Sequence, residues 1–317
     1  MSRFQQIDLK KVRLVSLKKR PSKTTIGNFG RALETTGADR FFASLPRFLK
    51  AAELQEFLKA VARARRKGRP FHLMLGAHVI KVGLSEVIID LMNRRIVTGL
   101  SFNSAGLIHD LELAFGGRTS EDVAAGLRDG SFGMAEETGR MYAEIVRLAI
   151  EDELGLGEAA GKFLNRPKFP FRKHSLFAAA ERLSMPVTVH LGIGTDIVQQ
   201  HPVFDAAAAG EASFRDFKIL ANILLSADRG GVVANIGSAV ILPEVFLKAL
   251  TVARNIGKHT PHITTANFDM INHYRPAMNI VRRPTETGGK GYNFIGHHEI
   301  MIPLMAWGLK SFVRVTK

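Results

Sequence analysis

The sequence predicts a doubly wound α/β fold, a mainly parallel sheet with helices on both faces. Three observations predict it. Short apolar runs recur at residues 71–75, 96–102, 186–191, 232–236 and 262–265. Most of them end in a turn rich in glycine or small polar residues. A stretch with helical apolar spacing then follows, and this strand–turn–helix order marks parallel βαβ units.

Residues 1–50 mix basic, Ser/Thr and Gly residues without steady periodicity, and read as a basic N-terminal arm that wraps a neighbour. Residues 51–317 read as one domain, because no linker-like stretch divides them. Within it, Leu54, Phe57, Leu58, Val61 and Ala62 share one face of a helix whose outer face is basic. The run at 71–75 follows Gly-Arg-Pro and leads through Gly76-Ala77-His78 to an amphipathic helix at 85–93. The strand at 96–102 passes through Asn103-Ser104-Ala105-Gly106 into another helix. Residues 116–133 are glycine-rich and polar and read as a surface excursion, 135–154 as a helix, and 175–183 as a further helix. The strand at 186–191 ends in Gly192-Ile193-Gly194-Thr195-Asp196, with a helix at 214–227. A strand at 232–236 and a helix at 244–255 come next, then a strand at 262–265 that turns at Ala266-Asn267-Phe268-Asp269. Residues 282–298 read as a glycine-rich loop around Lys290.

At 317 residues the chain is near the size where one core divides in two, and 46% hydrophobic with 23% charged residues fits an ordinary globular protein. No apolar run approaches the roughly 20 residues that span a bilayer, and no secretory signal precedes the first core segment. A cytoplasmic location without membrane contact is therefore expected. Cysteine is absent, which removes disulfides, thiolate metal sites and a cysteine nucleophile. The net charge of +15 is uneven: residues 1–70 hold 18 Lys/Arg against 5 Asp/Glu. The dense runs are Lys18-Lys19-Arg20 and residues 63–69. Such runs touch nucleic acid or anionic lipid in some proteins. No recognised nucleic-acid motif accompanies them, so they read as solvated faces or partner-subunit contacts, and nucleic acid is not expected.

Ligands of doubly wound sheets sit beyond the carboxyl ends of the strands. The candidate ends are residues 76–78, 103–106, 192–196 and 265–269, with 282–298 as a fifth wall. In the last, Gly288, Gly289 and Gly291 flank Lys290, which suits either a phosphate-binding lysine or a desolvated nucleophile. A surface turn with a solvated lysine is the competing reading. Asp196 is either a ligand or a helix cap. His190, inside an apolar strand, reads as a core histidine. His78 and Lys81 read as phosphate neutralisers or as plain loop residues. His297, His298 and Glu299 lack a further ligand at recognisable spacing, so no metal site is expected.

Four colinear segments resemble deoxyhypusine synthase: FNSAGLIHDL; MPVTVHLGIGTDIV with SFRDFKILANILLSAD; HITTANFD; and Arg283-Pro284-Thr285-Glu286 with Gly289-Lys290. Order and approximate spacing hold over about residues 71–309. The resemblance implies a Rossmann-like homotetramer with active sites at dimer interfaces. It implies NAD as cofactor, a polyamine or other small amine as substrate, and aminobutyl transfer through a lysine imine. By position, Lys290 would form the imine and Glu286 would be an acid near the amine. Asp196 and Asp269 would bind substrate, and Ser104, Ala105, Gly106, Thr265, Ala266, Gly296 and His297 would line NAD. The sequence departs from the family in several ways, among them Leu191 where the polyamine turn has its second aspartate and Ile108-His109 where the family has an acidic pair. Gly288 stands where the family has tryptophan, Leu242-Pro243-Glu244 stands for its triple-glycine turn, and residues 245–252 lack its catalytic histidine. These departures motivate a second reading, a differently specialised or non-catalytic protein of this fold that binds an anionic or nucleotide-like ligand.

Overall fold

In the computed structural model the described residues are 10, 12–28, 37, 41–42, 44–46, 48–257 and 261–313. In chain order the first elements are β1 (Ser22–Thr25), α1 (Leu49–Arg66), β2 (Phe71–Leu75), α2 (His78–Lys81), α3 (Ser85–Asn93), β3 (Gly99–Asn103) and α4 (Ser104–Gly116). Next come β4 (Arg118–Glu121), α5 (Val123–Asp129), α6 (Glu136–Glu151), α7 (Leu156–Leu164), α8 (Leu176–Arg182), β5 (Val187–His190) and α9 (Ala206–Ala227). The chain closes with β6 (Val232–Ile236), α10 (Ile241–Gly257), β7 (Thr264–Asp269), β8 (Lys290–Ile295) and α11 (His298–Phe312). Between β7 and β8 the helical stretch turns π-helical over Ala277–Arg282.

Strands β2, β5 and β6 are buried along their whole length, which is how strands covered on both faces behave. Six strands form one parallel sheet in the order β5-β3-β2-β6-β7-β8. Numbered by appearance within that sheet, the order reads 3-2-1-4-5-6, the Rossmann arrangement. Its direction reverses between β2 and β6, so a crevice is expected beyond their carboxyl ends. One apolar cluster packs α1, α3, α4, α8 and α11 with the sheet, centred on Phe57, Phe71, Phe268 and Phe294. The other joins α9 and α10 through Leu220, Leu224 and Phe246 to Met74 and Val233.

A sheet covered on both faces must satisfy its own polar side chains. Two transverse ladders do this. On one half, His72 Nε2 meets Ser101 Oγ at 2.7 Å, Ser101 meets Thr188 Oγ1 at 2.7 Å, and Thr188 meets His190 Nε2 at 3.0 Å. Burial pushes His72 down to about 3 and His190 down to about 4, so both rings are neutral at pH 7. His190 is thus the core histidine its pattern suggested. On the other half, the Asn235 amide donates to Asn267 at 2.8 Å and Asn267 donates to Asn293 at 2.9 Å. That second ladder explains an error of reading. Residues 266–269, taken from their polarity as a turn, continue β7 to Asp269, because Asn267 is paired across three strands.

Three other expectations change. The glycine-rich stretch at 282–298 contains the edge strand β8, whose Tyr292 and Phe294 alternate inward onto Phe57. Residues 116–133 hold β4 and α5. The arm expected over 1–50 lies outside the described residues at 1–9, 11, 29–36, 38–40, 43 and 47. Its described part packs on its own chain. β1 pairs antiparallel with β4, and Val15 bridges Ala135. Arg20 donates to Glu112 at 2.8 Å and to Glu121 at 3.3 Å, with Arg20 and Glu112 almost fully buried. Removing one partner of a buried pair strands the other charge. Arg20→Ala is therefore expected to lower unfolding free energy by about 3 kcal/mol in urea titrations; a change within error would show that the strap is not fastened there.

Candidate functional site

The carboxyl ends of the strands gather two groups of chemistry-bearing side chains. The first lies past β3 and β5. Asn103 Oδ1 accepts from Gly106 N at 3.3 Å and caps α4, which places Ser104 and Ala105 at the helix start. Ser104 Oγ meets the buried Tyr142 hydroxyl at 2.8 Å and also hydrogen-bonds Asp196. Asp196 is 8% exposed and is approached by Gln199 Nε2 at 3.3 Å. Burial pushes its carboxyl up to about 6, against the hydrogen bonds that lower it. Asp196 and Ala105 line a cavity of about 150 Å³ together with Lys81, His109, Glu112, Glu121 and Arg20. Burial also holds His109 down at about 4, so its ring is neutral.

The second group lies at the reversal of strand order. Gly76 and Gly237 end β2 and β6 in contact: a Cβ on Gly76 would stand 2.0 Å from the Gly237 carbonyl oxygen. Gly237 has φ +69°, and a Cβ there would meet the His298 ring at 2.7 Å, so both positions require glycine. The His298 ring lies 5.5 Å from that of His78. His78 is held below the usual histidine range by burial and then by His298 and Lys81. Asp269, 5% exposed, closes β7; its Oδ1 accepts from Met270 N at 2.8 Å. Two buried polar atoms here have no protein partner, Asp269 Oδ2 and His298 Nδ1. Gly296 N donates to the Asp269 carbonyl at 2.9 Å, and His297 stands exposed beside it, 3.7 Å from Glu299.

The remaining expected site residues fall elsewhere. Lys290 opens β8 in register with Thr264, at the amino edge of the sheet. Five residues at about 3.3 Å each separate it from the carboxyl edge, roughly 17 Å. It is exposed and paired with Glu56 of α1, which raises its pKa and keeps the amine protonated, the reverse of what an imine-forming lysine needs. Glu286 is exposed on the same edge, 3.3 Å from Arg282. Thr265 and Ala266 are buried near the start of β7, with Thr265 Oγ1 donating to the Ile280 carbonyl at 2.6 Å. Gly106 has Phe102 where a side chain would go, so it packs the core. The turn after β6 is Gly237-Ser238, whereas Leu242-Pro243-Glu244 forms the first turns of α10. That turn was overlooked although the strand before it was legible. Lys81, expected to neutralise a phosphate or to be a plain loop residue, is the lysine that lines the cavity with Asp196.

The sequence matches no family model and no curated protein. Among solved structures, the fold is similar to ArgZ, an arginine dihydrolase from the ornithine-ammonia cycle in cyanobacteria. The identity is 13% and the TM-score 0.50, over 83% of this chain and 33% of that one. Unliganded AgrE is similar at 16% identity and a TM-score of 0.50, over 83% of this chain and 34% of that one. A protein assigned as a deoxyhypusine synthase, from Entamoeba histolytica, aligns at 10% identity and a TM-score of 0.48, over 80% of this chain and 86% of that one. This chain spans about a third of the length of the first two. What ArgZ and AgrE share with it is the α/β Rossmann-like fold.

Asp196 gives the site a pH signature. Its folded value of about 6 lies above the ordinary 3.8, so between the two the folded state holds the extra proton. Stability contributed at that position is lost as pH rises from about 4 to about 6. In Asp196→Asn the loss of unfolding free energy between pH 4 and pH 7 should shrink by on the order of 2 kcal/mol. An unchanged pH dependence would show that Asp196 titrates as an ordinary exposed carboxyl.

Proposed function

We propose that this chain is an NAD-linked enzyme of the deoxyhypusine-synthase-like kind, acting on a small amine at the carboxyl edge of the sheet. The observation that carries the reading is the pairing of two sites along one edge. One is a strand-end carboxylate with an oxygen still without a partner, and the other is a small cavity lined by three carboxylates, Asp196, Glu112 and Glu121. Arg20 compensates Glu112 and Glu121 in that lining, and Asp196 is the carboxylate left to hold a cationic amine.

The residues at the reversal of strand order suit the adenosine end of a dinucleotide. Asp269 Oδ2 is an acceptor available to a ribose hydroxyl, and His298 Nδ1 is a further polar atom in need of a partner. Bound NAD would supply the hydride acceptor for a carbon bearing nitrogen. The protein side of the chemistry lies with Asp196, which anchors the ammonium of the amine once ionised above about pH 6. Ser104 orients that carboxylate, and Tyr142 orients Ser104. Lys81, which lines the cavity with Asp196, takes the role expected of Lys290: its amine would add to the C=N carbon left by hydride removal and expel the original amine, leaving the imine on the lysine.

A homotetramer with sites at dimer interfaces is proposed with it. The loops at the carboxyl edge expose large apolar side chains, Ile193, Ile271, Tyr274, Ile295 and Ile300 among them, each at least 49% exposed. Ile193 follows β5 at one side of the sheet, and the others cluster around β7 and β8 at the other; exposed apolar groups of this kind mark contact surfaces. A second copy seated there would close the crevice from water.

One feature weighs against a dinucleotide and favours the alternative, a differently specialised protein of this fold without NAD chemistry. Glu244 in the first turn of α10 and the single-turn α2 give the pyrophosphate no glycine-rich cradle.

Thermal unfolding separates the two readings. NAD should raise the midpoint, and putrescine or spermidine should raise it further. Asp269→Asn should remove the first shift, and Asp196→Asn the second. Borohydride should trap an amine adduct that persists in Lys290→Ala and disappears in Lys81→Ala. Stabilisation by phosphate-bearing compounds alone, with no response to NAD or amines, would favour the non-catalytic reading.

A further inference from the structure

The amino edge of the sheet takes no part in the proposed reaction, and there the charge is one-sided. The turns that enter β5, β3, β2 and β6 are neighbours because their strands are. They present Arg182, Arg95, Arg66, Lys67 and Arg229, all exposed, and Arg63 lies one turn back on α1. The carboxylates close to them in sequence are largely engaged. Asp90 is held by Arg94 at 3.0 Å and Lys310 at 3.1 Å. Asp228, beside Arg229, is buried and held at 2.9 Å by both Nε and Nη2 of Arg254. Glu181 stands next to Arg182 and is the remaining acid in these turns.

The turns are also bolted together. Arg65 donates from Nη1 to the Arg69 carbonyl at 2.6 Å and from Nε to the Arg95 carbonyl at 3.1 Å. Arg95 Nη1 reaches the Leu183 carbonyl at 2.8 Å. Each turn reverses through a left-handed residue: Gly68 at φ 66°, Arg95 at 54°, Ser184 at 49° and Gly230 at 96°. Glycine adopts that conformation without strain, whereas another residue is disfavoured by about 1 kcal/mol. An arginine therefore stands before β3 where glycine would be the easier residue, and its cation faces solvent.

We propose that this amino edge binds the phosphodiester backbone of duplex nucleic acid without reading its sequence. Four adjacent strands at about 4.8 Å spacing extend the row of cations over roughly 14 Å. At about 3.4 Å of helix axis per phosphate on each strand, that length of duplex passes about four phosphates of one strand. The turns carry no exposed aromatic side chain among the described residues, so base stacking on a single strand has no platform here. Guanidinium groups supply bidentate phosphate contacts.

The test is fluorescence anisotropy with a labelled mixed-sequence duplex of about 20 base pairs, titrated across a salt series. Binding should weaken with salt with a log–log slope of magnitude about 4, and a second duplex of unrelated sequence should bind equally well. Arg95→Gly relieves the left-handed residue but removes the hydrogen bond to the Leu183 carbonyl, so it should unfold close to the parent temperature, yet bind more weakly, with the slope reduced by about 1. The pair Arg66→Glu with Lys67→Glu should weaken binding at least tenfold while leaving NAD-dependent stabilisation unchanged. Absence of binding at low salt would overturn the proposal. So would binding lost on Lys18→Glu with Lys19→Glu but kept in the amino-edge variants, which would move the contact to the N-terminal strap. Displacement by polyglutamate as effective as by duplex of equal charge would make the partner an acidic protein surface, and would also overturn it.

Discussion

The constraint on which the structure depends is the burial of both faces of the parallel sheet. Once a sheet is covered above and below, a polar side chain within it has no water and must find its partner sideways. The His72–Ser101–Thr188–His190 and Asn235–Asn267–Asn293 ladders are the result, one on each side of the reversal between β2 and β6. They join neighbouring strands through side chains as well as backbone, and so help hold the strand ends in register. The position of His298 over Gly237, and of Asp269 beside Gly296, follows from that register.

How much of this is legible in the sequence depends on where polarity falls. Apolar strands with glycine turns read correctly: β2 and α3 coincide with their expected limits, and the parallel α/β class follows from the repeated unit. Polarity inside strands misleads. The asparagine of TTANFD looks like a turn residue, because nothing local reveals partners more than twenty residues away on either side. Moving the strand end from Thr265 to Asp269 shifts the candidate site by several residues and buries Thr265 and Ala266. The glycines around Lys290 mislead in another way. They mark close backbone packing, since Cβ atoms on Gly289 and Gly291 would each lie 2.1 Å from a carbonyl oxygen, of Ile263 and Val281. Glycine serves a ligand and serves a neighbouring strand equally well, and only the fold distinguishes them.

The two edges of the sheet carry opposite electrostatics, and this division organises the functional reading. At the carboxyl edge, Asp196, Glu112 and Glu121 line a small cavity with Arg20, Lys81 and the neutral His109. Arg20 connects that cavity to the N-terminal strap: the guanidinium that fastens the strap also compensates Glu112 and Glu121 in the cavity wall. At the amino edge, cations stand on rigid turns with few acids among them. Lys290, paired with Glu56, belongs to this second edge, away from the groups gathered at the carboxyl ends of the strands.

The central proposal is that NAD and amine chemistry belongs to the carboxyl edge. Hydrogen–deuterium exchange with and without NAD tests it most directly, because it reports each strand end separately. Protection is expected at residues 76–83, 237–242, 269–273 and 295–299, with none at 285–291. Protection concentrated around Gly288–Gly291, with the carboxyl ends unchanged, would contradict the account and return Lys290 to the site.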